Sequence, residues 1–367
     1  MFLLITFCVT FLIQTYFYLF LFRKYTSYKQ SENKPSVFEV SIVVCAKNEA
    51  DNVKVLLPAL AQQEFSNYQI IVVDDGSSDS TLSEILSFKQ AHKDSNFEME
   101  VIHISQKKSK GKKLALTKGI LAARYDYILL TDADCKPVSR KWIDKMMAPF
   151  TEKSSVVLGY GAYDKIDRSV LNKLIRFETL LTAIQYFSYA IDGKAYMGVG
   201  RNMAYKKKTF LEAGGFADHI DVKSGDDDLF VSQVTNGENV AICDHMDSFT
   251  ISVPQKKLFE WIRQKRRHIT TSGHYNIKTK FSLGLFYVSQ LSFYVLAIAA
   301  VLLNTYLYVI IPLFFIRFLF WYITLNKAAT RLNEKDLIAL GPLYEISTIF
   351  MQLYIFLKNI ISPPKYW

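Results

Sequence analysis

The sequence predicts an α/β protein whose soluble part is flanked by transmembrane helices. Two apolar blocks, at residues 1–22 and 283–322, are long enough to cross about 30 Å of hydrocarbon. Between them, β-rich runs alternate with segments of helical spacing, a pattern typical of a mainly parallel sheet covered by helices. Hydrophobic residues make up 50% of the 367 residues, which is high for a soluble protein and low for a polytopic transporter.

The N-terminal block carries no charge and ends in a basic flank. The basic residues are Arg23, Lys24, Lys29 and Lys34. A cleavable signal peptide would need a basic region before the apolar stretch and a small-residue cleavage site after it, and neither is present. We therefore expect an uncleaved transmembrane anchor over residues 1–24. The positive-inside rule then places residues 25–280 in the cytoplasm of a multi-pass protein of the inner (plasma) membrane.

The C-terminal membrane region, residues 281–367, is predicted to contain two to three helices. The apolar block at 283–322 is interrupted near Asn304 and is long enough for a helical hairpin. The last block, residues 337–361, contains a proline and Glu345. It is either a third C-terminal crossing or a helix that lies in the interface.

The cysteine content bears on metal sites and disulfides, and the net charge bears on the binding partner. The four cysteines, Cys8, Cys45, Cys135 and Cys243, lack CxxC spacing, so neither a zinc site nor a disulfide framework is predicted. The net charge of +10 suits nucleic acid or an anionic membrane face. Because membrane segments are present, we expect the lipid bilayer as a partner and no nucleic acid.

Four strands alternate with three helices between the membrane blocks. The strands are predicted at residues 38–45, 68–73, 98–104 and 127–131, and the helices at 51–63, 82–91 and 112–124. Ligands bind such sheets at the carboxyl ends of the strands. Polar clusters follow three of these strands, at residues 46–49, 74–79 and 132–134. An Asp-rich turn explains each cluster singly, but three clusters on one edge favour a binding site.

The acid pair Asp132 and Asp134 directly follows an apolar strand. Two carboxylates this close repel each other, so burying them without a counter-charge is costly. A DxD pair, in place of a glycine-rich loop, indicates a hard divalent cation, Mg²⁺ or Mn²⁺, that bridges carboxylate and ligand phosphate. Five lysines near Gly111 form either a solvated basic loop or part of a diphosphate site: Lys107, Lys108, Lys110, Lys112 and Lys113.

Several segments, in this order, resemble the inverting glycosyltransferases of family 2, which have the GT-A fold. The segments are SIVVCAKNEADNV, IIVVDDGSSDST, KGKKLALTKGI, ILLTDADCKP, GVGRNMAYKKKTFLEAGGF, SGDDDLF and WIRQKRRHI. They cover about residues 38–270. The resemblance implies a GT-A domain, a Rossmann-like mixed sheet that binds nucleotide-diphosphate sugars, over residues 25–280.

The resemblance also implies roles for residues at the strand ends and in the WIRQKRRHI segment. Nucleotide binding is assigned to Ala46, Asn48, Glu49, Asp75, Lys112, Asp132, Gln264 and Arg267. Asp132 and Asp134 would engage the cation that neutralises the departing diphosphate, helped by Lys112. GVGRN, from Gly198 to Asn202, would form a close-approach loop under the donor and acceptor.

One acid of SGDDDLF is implied as the general base that deprotonates the acceptor hydroxyl. We assign Asp227, because it matches the second acid of the family's pair. Asp226 and Asp228 stay open as the base, and we otherwise expect them to cap the next helix and support the loop.

Gln264 and Arg267 match the family's QxxRW motif, but His268 stands at the tryptophan position. In polysaccharide-synthesising relatives that tryptophan stacks on the acceptor sugar, so its absence counts against elongation of a sugar chain. A basic amphipathic helix on the membrane surface is the competing account of the basic residues. Those residues are Arg263, Lys265, Arg266 and Arg267.

The leading interpretation is a membrane-bound inverting glycosyltransferase. It would move one sugar from a nucleotide-diphosphate donor, UDP-linked, to a lipid or glycan acceptor at the membrane. Inversion follows from direct displacement with one base and no carboxylate nucleophile. The alternatives are a processive polysaccharide synthase and a catalytically silent membrane scaffold of the same fold. The acids that a silent copy would lose, such as Asp75 and Asp134, are present.

Overall fold

The computed structural model describes residues 1–29, 38–93, 97–105, 111–222 and 224–362. The helices are α1 (Phe2–Tyr16), α2 (Phe22–Thr26), α3 (Ala50–Ala61), α4 (Thr81–Ala91), α5 (Lys113–Ala122), α6 (Trp142–Met147), α7 (Val170–Ile191), α8 (Lys207–Glu212), α9 (Asp228–Val234), α10 (Leu258–Ile269), α11 (Ile277–Leu302), α12 (Leu307–Arg331) and α13 (Gly341–Ile361). The strands are β1 (Val40–Ala46), β2 (Tyr68–Asp74), β3 (Glu98–His103), β4 (Tyr127–Asp132), β5 (Cys135–Pro137), β6 (Val156–Leu158), β7 (Gly161–Tyr163), β8 (Met203–Lys206), β9 (Val240–Ile242) and β10 (Thr250–Ser252).

Two compact units make up the chain. The sheet unit comprises residues 29–166 and 193–254, and the helical unit comprises residues 1–28, 167–192 and 255–367. The structure therefore groups α7 and α10 with the helices of the predicted membrane regions. The domain boundaries predicted from the sequence stay predictions.

The main sheet of the sheet unit has seven strands in the order β3-β2-β1-β4-β8-β6-β9. Strands β1 to β4 run parallel to one another, and β8 runs antiparallel to both β4 and β6. The predicted α/β mixed sheet is confirmed. In the register, Cys45 lies opposite Asp132 and Ala46 lies opposite Asp74. The polar clusters after β1, β2 and β4 therefore meet at one edge of the sheet.

The core of this unit follows from strands that are apolar on both faces. Ile42, Ile70 and Leu129, on three adjacent strands, are fully buried. Burying one such side chain contributes about 1.5–3 kcal/mol. Helix α5 packs closely on the sheet through Gly119, where an added Cβ would come within 2.5 Å of Val43 Cγ1. A side chain at that position would push the helix away from the strands.

A second, three-stranded sheet has the order β5-β10-β7. Strand β10 runs antiparallel to β5 and parallel to β7, so Ser252 lies opposite both Cys135 and Tyr163. Because β5 starts at Cys135, this sheet begins directly after the acid pair Asp132 and Asp134.

The predicted strands and helices before residue 132 all form, with ends shifted by at most two residues. The helix predicted over residues 51–63, for example, spans Ala50–Ala61. Gly214 and Gly215 form a turn after α8, with φ of +68° and +65°. Left-handed backbone of this kind suits glycine.

Within the described residues, three helices of the helical unit are long and apolar enough to cross a membrane. They are Phe2–Thr26, which includes a π-helical segment between α1 and α2, Ile277–Leu302 and Leu307–Arg331. The chain turns between α11 and α12 at Asn304, where φ is +49°, as the interruption in the apolar block predicts. The last block is a helix, α13, but it is not one of these three candidate spans.

Candidate active site

The ends of β1 and β2 are joined by hydrogen bonds between their loops. Asn48 accepts a hydrogen bond from the Ser78 N–H at 2.8 Å, and its own N–H donates to Ser77 Oγ at 3.0 Å. The Asp75 N–H donates to Ala46 O at 2.8 Å. Asn48 has a left-handed φ of +56°, which Asn tolerates better than most residues. The side chain of Asn48 therefore fixes the loop that carries Asp75.

Glu49 and Asp75 lie at this edge as the sequence predicts, with Asp75 buried. Partial burial, together with the charges of Asp134 and Asp132, raises the pKa of Glu49. The acid after β1 and the acid pair after β4 are thus close enough to interact. Lys107, Lys108 and Lys110 lie outside the described residues.

Lys112 joins the two acidic motifs of the sheet unit. Its Nζ forms an ion pair with Asp132 Oδ1 and lies 3.8 Å from Asp226 Oδ2. Burial opposes a charge on this amine, but Asp132 and Asp226 raise its pKa well above the ordinary value. Lys112 therefore supplies part of the positive charge that the acid pair was predicted to need. Lys113 points elsewhere, since its buried Nζ donates to the backbone oxygens of His219 and Val222.

Asp132 and Asp134 also form a candidate divalent-cation site. Together with Cys135 they offer ligand atoms that all lie within 4.8 Å of one another. Two carboxylate oxygens at one strand end fit Mg²⁺ or Mn²⁺, which prefer oxygen ligands. The sequence reasoning missed Cys135, because it considered cysteines only for zinc and disulfide spacing. Its position directly after the DxD pair was the available signal.

Asp227 lies at the N-terminus of α9, where both of its carboxylate oxygens accept backbone hydrogen bonds. Oδ1 accepts from the Asp228 N–H at 2.8 Å, and Oδ2 accepts from the Gly200 N–H at 3.0 Å. The expectation that Asp226 and Asp228 cap this helix was wrong. Asp227 is the capping residue, because it directly precedes the first helical residue and its side chain accepts the Asp228 N–H.

The environment of Asp227 disfavours its ionised form. Desolvation, and then the charges of Asp226 and Asp228, raise the pKa of Asp227 to about 8, although the two backbone N–H donors oppose the shift. A carboxyl with a pKa near the working pH is suited to proton transfer. Asp226 instead faces Lys112, and Asp228 accepts a hydrogen bond from the Leu229 N–H at 2.8 Å.

The GVGRN loop approaches Asp227 closely. A Cβ added at Gly200 would lie 3.6 Å from Asp227 Oδ2. The loop is fixed by Asn202, which donates to Tyr160 O and Ser248 O, both at 2.8 Å. Asn202 is fully buried, so these bonds set the position of the whole loop.

Gln264 and Arg267 lie on α10 in the helical unit. Gln264 Oε1 is buried and has no hydrogen-bond donor within the described residues. Two of the neighbouring basic residues have partners in the same unit: Lys265 pairs with Glu178, and Arg266 donates to Asn359 Oδ1 at 2.8 Å. The diphosphate-binding role of Gln264 and Arg267 stays a prediction.

Comparison with known families gives a match over most of the sheet unit together with helix α7. The family model described as Glycosyl transferase family 2 matches residues 41–213. This range contains β1 to β8 and the DxD pair, and it ends before the SGDDDLF segment.

Curated relatives match over a shorter range. The chain is 34% identical over 95 residues to a poly-beta-1,6-N-acetyl-D-glucosamine synthase of Staphylococcus epidermidis, covering 26% of this chain and 21% of that protein. It is 28% identical over 120 residues to the enzyme of that name in Staphylococcus aureus, covering 32% and 27%. The chain thus spans between about a fifth and just over a quarter of the length of these relatives.

A solved structure matches over nearly the whole chain. It is a mannosyltransferase from Pyrobaculum calidifontis in complex with GDP-Man and Mn²⁺, with a TM-score of 0.60 at 15% identity. The match covers 94% of this chain and 97% of that one. At this identity the likeness shows the shared fold.

Proposed function

We propose that the chain is a membrane-bound inverting glycosyltransferase, because residues 41–213 match the Glycosyl transferase family 2 model. It moves a sugar from a nucleotide-diphosphate donor, UDP-linked, to a lipid or glycan acceptor presented at the membrane. The observation that carries the proposal is the arrangement around Lys112, which brings the DxD pair and the SGDDDLF acids together at the carboxyl edge of the sheet.

Each group at this edge has a chemical task in the proposed reaction. Asp75 and Glu49 bind the nucleoside, and Lys112 attracts the diphosphate. A divalent cation held by Asp132 and Asp134 would neutralise negative charge on the departing diphosphate. Asp227 takes the proton of the acceptor hydroxyl at a carboxylate oxygen, which allows direct attack on the anomeric carbon. One displacement with one base inverts the configuration of that carbon.

The assignments of sugar transfer and of a divalent cation draw support from the similar proteins. The curated relatives are named as N-acetyl-D-glucosamine polymer synthases, and the mannosyltransferase was solved with Mn²⁺. We assign Mg²⁺ or Mn²⁺ to the site, because carboxylates at one strand end suit both ions.

A processive polysaccharide synthase is the second candidate function. The names of the curated relatives favour it. His268 at the tryptophan position of the QxxRW motif counts against it, since an imidazole offers a smaller stacking face. The two functions differ in the product: one added sugar or a ladder of lengths.

Mass spectrometry of membrane products tests the proposal. Membranes that contain the full chain are incubated with a panel of UDP- and GDP-linked sugars and Mn²⁺, and Asp227→Asn serves as the matched control. We expect one donor to give a lipid or glycan product heavier by a single sugar, absent from the control. A ladder of masses would favour the synthase, and no product with any donor would contradict a transferase.

A further inference from the structure

The strand register brings three hydrogen-bonding side chains in a row to Asp134, one carboxylate of the acid pair. The row consists of Arg201, Ser252 and Cys135. Ser252, on the central strand β10 of the small sheet, lies opposite both Cys135 and Tyr163. Arg201 NH1 donates to Ser252 Oγ at 3.1 Å, and Ser252 Oγ lies 2.9 Å from Cys135 Sγ. Cys135 Sγ donates to Asp134 Oδ1 at 3.4 Å.

These contacts fit a single order of donors. The guanidinium of Arg201 donates only, so Ser252 Oγ accepts, and the Ser252 hydroxyl proton is free to point at the sulfur. The Cys135 S–H then donates to the carboxylate of Asp134, which is an acceptor when ionised. Each bond polarises the next in the same direction, which strengthens the row.

The start of the row is fixed by its surroundings. The guanidinium of Arg201 lies 4.3 Å from the centre of the Tyr163 ring and donates to Gly161 O. A Cβ added at Gly161 would come within 2.2 Å of Arg201 Nε, so only glycine leaves room for this side chain. Ser252 and Cys135 are each 3% exposed. The row therefore runs from a held cation through the protein interior to the acid pair.

We propose that Arg201, Ser252 and Cys135 are positioning residues that orient Asp134 for its divalent cation. The inference rests on the proposed function, since it requires that Asp134 binds such an ion. Groups that hydrogen-bond a ligating carboxylate fix its orientation, and their loss typically lowers metal affinity about 10–100-fold.

Binding of Mn²⁺ alone to the full-length protein in nanodiscs tests the proposal. Free Mn²⁺ is measured by electron paramagnetic resonance, without nucleotide or sugar. We expect Cys135→Ala and Ser252→Ala each to raise the Mn²⁺ Kd by about 10–100-fold. Cys135→Ser, which keeps a donor in place, should stay within a few-fold of wild type.

Cys243→Ala is the matched control, because Cys243 is also a buried free thiol of the sheet unit but donates to Lys145 O. Its Mn²⁺ affinity should be unchanged. Melting temperatures of all variants identify any that misfold. If Cys135→Ala does not fold, Ser252→Ala and Arg201→Met provide the test.

Three results would overturn the proposal. Wild-type affinity in both Cys135→Ala and Ser252→Ala would mean that the row does not position Asp134, and the proposed function would stand. A loss in Cys135→Ala with no change in Ser252→Ala would make the thiol a direct ligand instead. No Mn²⁺ binding by the wild-type protein would count against the row and the metal-assisted function together.

Discussion

At the residue scale, Asp227, which we propose as the base, also occupies the helix-capping position that the sequence suggested for its neighbours. It caps α9 with one carboxylate oxygen and receives the Gly200 N–H with the other. Its neighbours are engaged differently, with Asp226 facing Lys112. A sequence with three consecutive acids does not reveal this division, because it depends on where the helix starts and on which loop approaches it.

Replacing Asp227 by Asn should separate chemistry from binding. Asn is also a good N-cap residue, so the fold should survive. We expect kcat to fall about 10²–10⁴-fold, the usual range for loss of a general base. The nucleotide Kd should change little, because the donor is held by Asp75, Asp134 and the cation.

The neighbouring acids provide the comparison for this prediction. Asp226→Asn and Asp228→Asn should lower kcat less than Asp227→Asn does, as measured by turnover at saturating donor. If Asp228→Asn is inactive and Asp227→Asn turns over normally, the base lies one residue later than we assign it. Normal turnover in all three variants would show that this motif does not supply the base.

The pKa of Asp227 predicts how activity depends on pH. Since the carboxyl is protonated below a pKa of about 8 and the base must be ionised, kcat/KM should rise with pH through this region and then level off. Asp226→Asn removes a negative charge that raises this pKa, so the rise of kcat/KM in this variant should occur at lower pH than in the wild-type protein. The measurement is a pH–rate profile of both proteins at fixed Mn²⁺. If kcat/KM of Asp226→Asn rises at the same pH as the wild-type value, or at a higher pH, Asp227 is not the titrating group.

At the element scale, a buried ion pair joins α12 to α13. Arg317 donates to both carboxylate oxygens of Glu345, at 2.8 and 2.7 Å, and both side chains are buried. Gln14 from α1 and Gln290 and Tyr294 from α11 complete the cluster. The sequence left α13 open between a crossing and an interfacial helix. This pair explains how a helix with an internal acid is held against the three apolar helices.

Breaking this pair on one side should destabilise the helical unit strongly. Arg317→Met leaves the carboxylate of Glu345 buried without its cation, which typically costs about 3–5 kcal/mol. The double variant Arg317→Met with Glu345→Leu removes both charges and should lose less stability than either Arg317→Met or Glu345→Leu alone. Unfolding in mixed detergent micelles measures the three variants. If the double variant loses as much free energy of unfolding as the two single variants together, the two charges do not stabilise each other.

The elements differ in how far the sequence predicts them. Strands β1, β2 and β4 have continuous apolar runs that end in polar clusters, so both these strands and the site at their carboxyl ends were predictable. Strands β5, β7 and β10 have three residues each, too few to show a periodicity. Their pairing brings Cys135 to Ser252, 117 positions away, and no local pattern contains that contact.

At the scale of the whole molecule, the basic flanks predict that the chain from Tyr25 to Lys280 faces the cytoplasm. An exposed position of the sheet unit, Lys153, should then be protected from outside reagents after replacement by Cys. Leu303, which is 64% exposed between α11 and α12, is the matched position predicted to face outward. The measurement is labelling of intact cells with a membrane-impermeant thiol reagent.

We expect Leu303→Cys to be labelled in intact cells and Lys153→Cys only after permeabilisation. The four native cysteines require the unsubstituted chain as a background control. Labelling of Lys153→Cys in intact cells, with Leu303→Cys protected, would reverse the orientation. The positive-inside rule would then not describe this chain.

The division of the chain was the least predictable feature at this scale. Segments 167–192 and 255–280 are polar or mixed enough to look like parts of the soluble domain, yet they belong to the helical unit. Arg176 of α7 forms a buried ion pair with Glu334, and Lys265 of α10 pairs with Glu178 of α7. Such long-range pairs decide the unit to which a helix belongs, and composition alone does not.

The most direct test of metal-assisted sugar transfer at the acid pair is donor turnover by the purified full-length protein in nanodiscs. Nucleotide release is measured with Mn²⁺, with EDTA and in the Asp134→Asn variant, using the donor that gives a membrane product. We expect turnover in Mn²⁺ and none in EDTA. Asp134→Asn should keep its fold, bind nucleotide more weakly and lose turnover, because the cation loses a ligand. Full turnover in EDTA, or undiminished turnover in Asp134→Asn, would contradict the account.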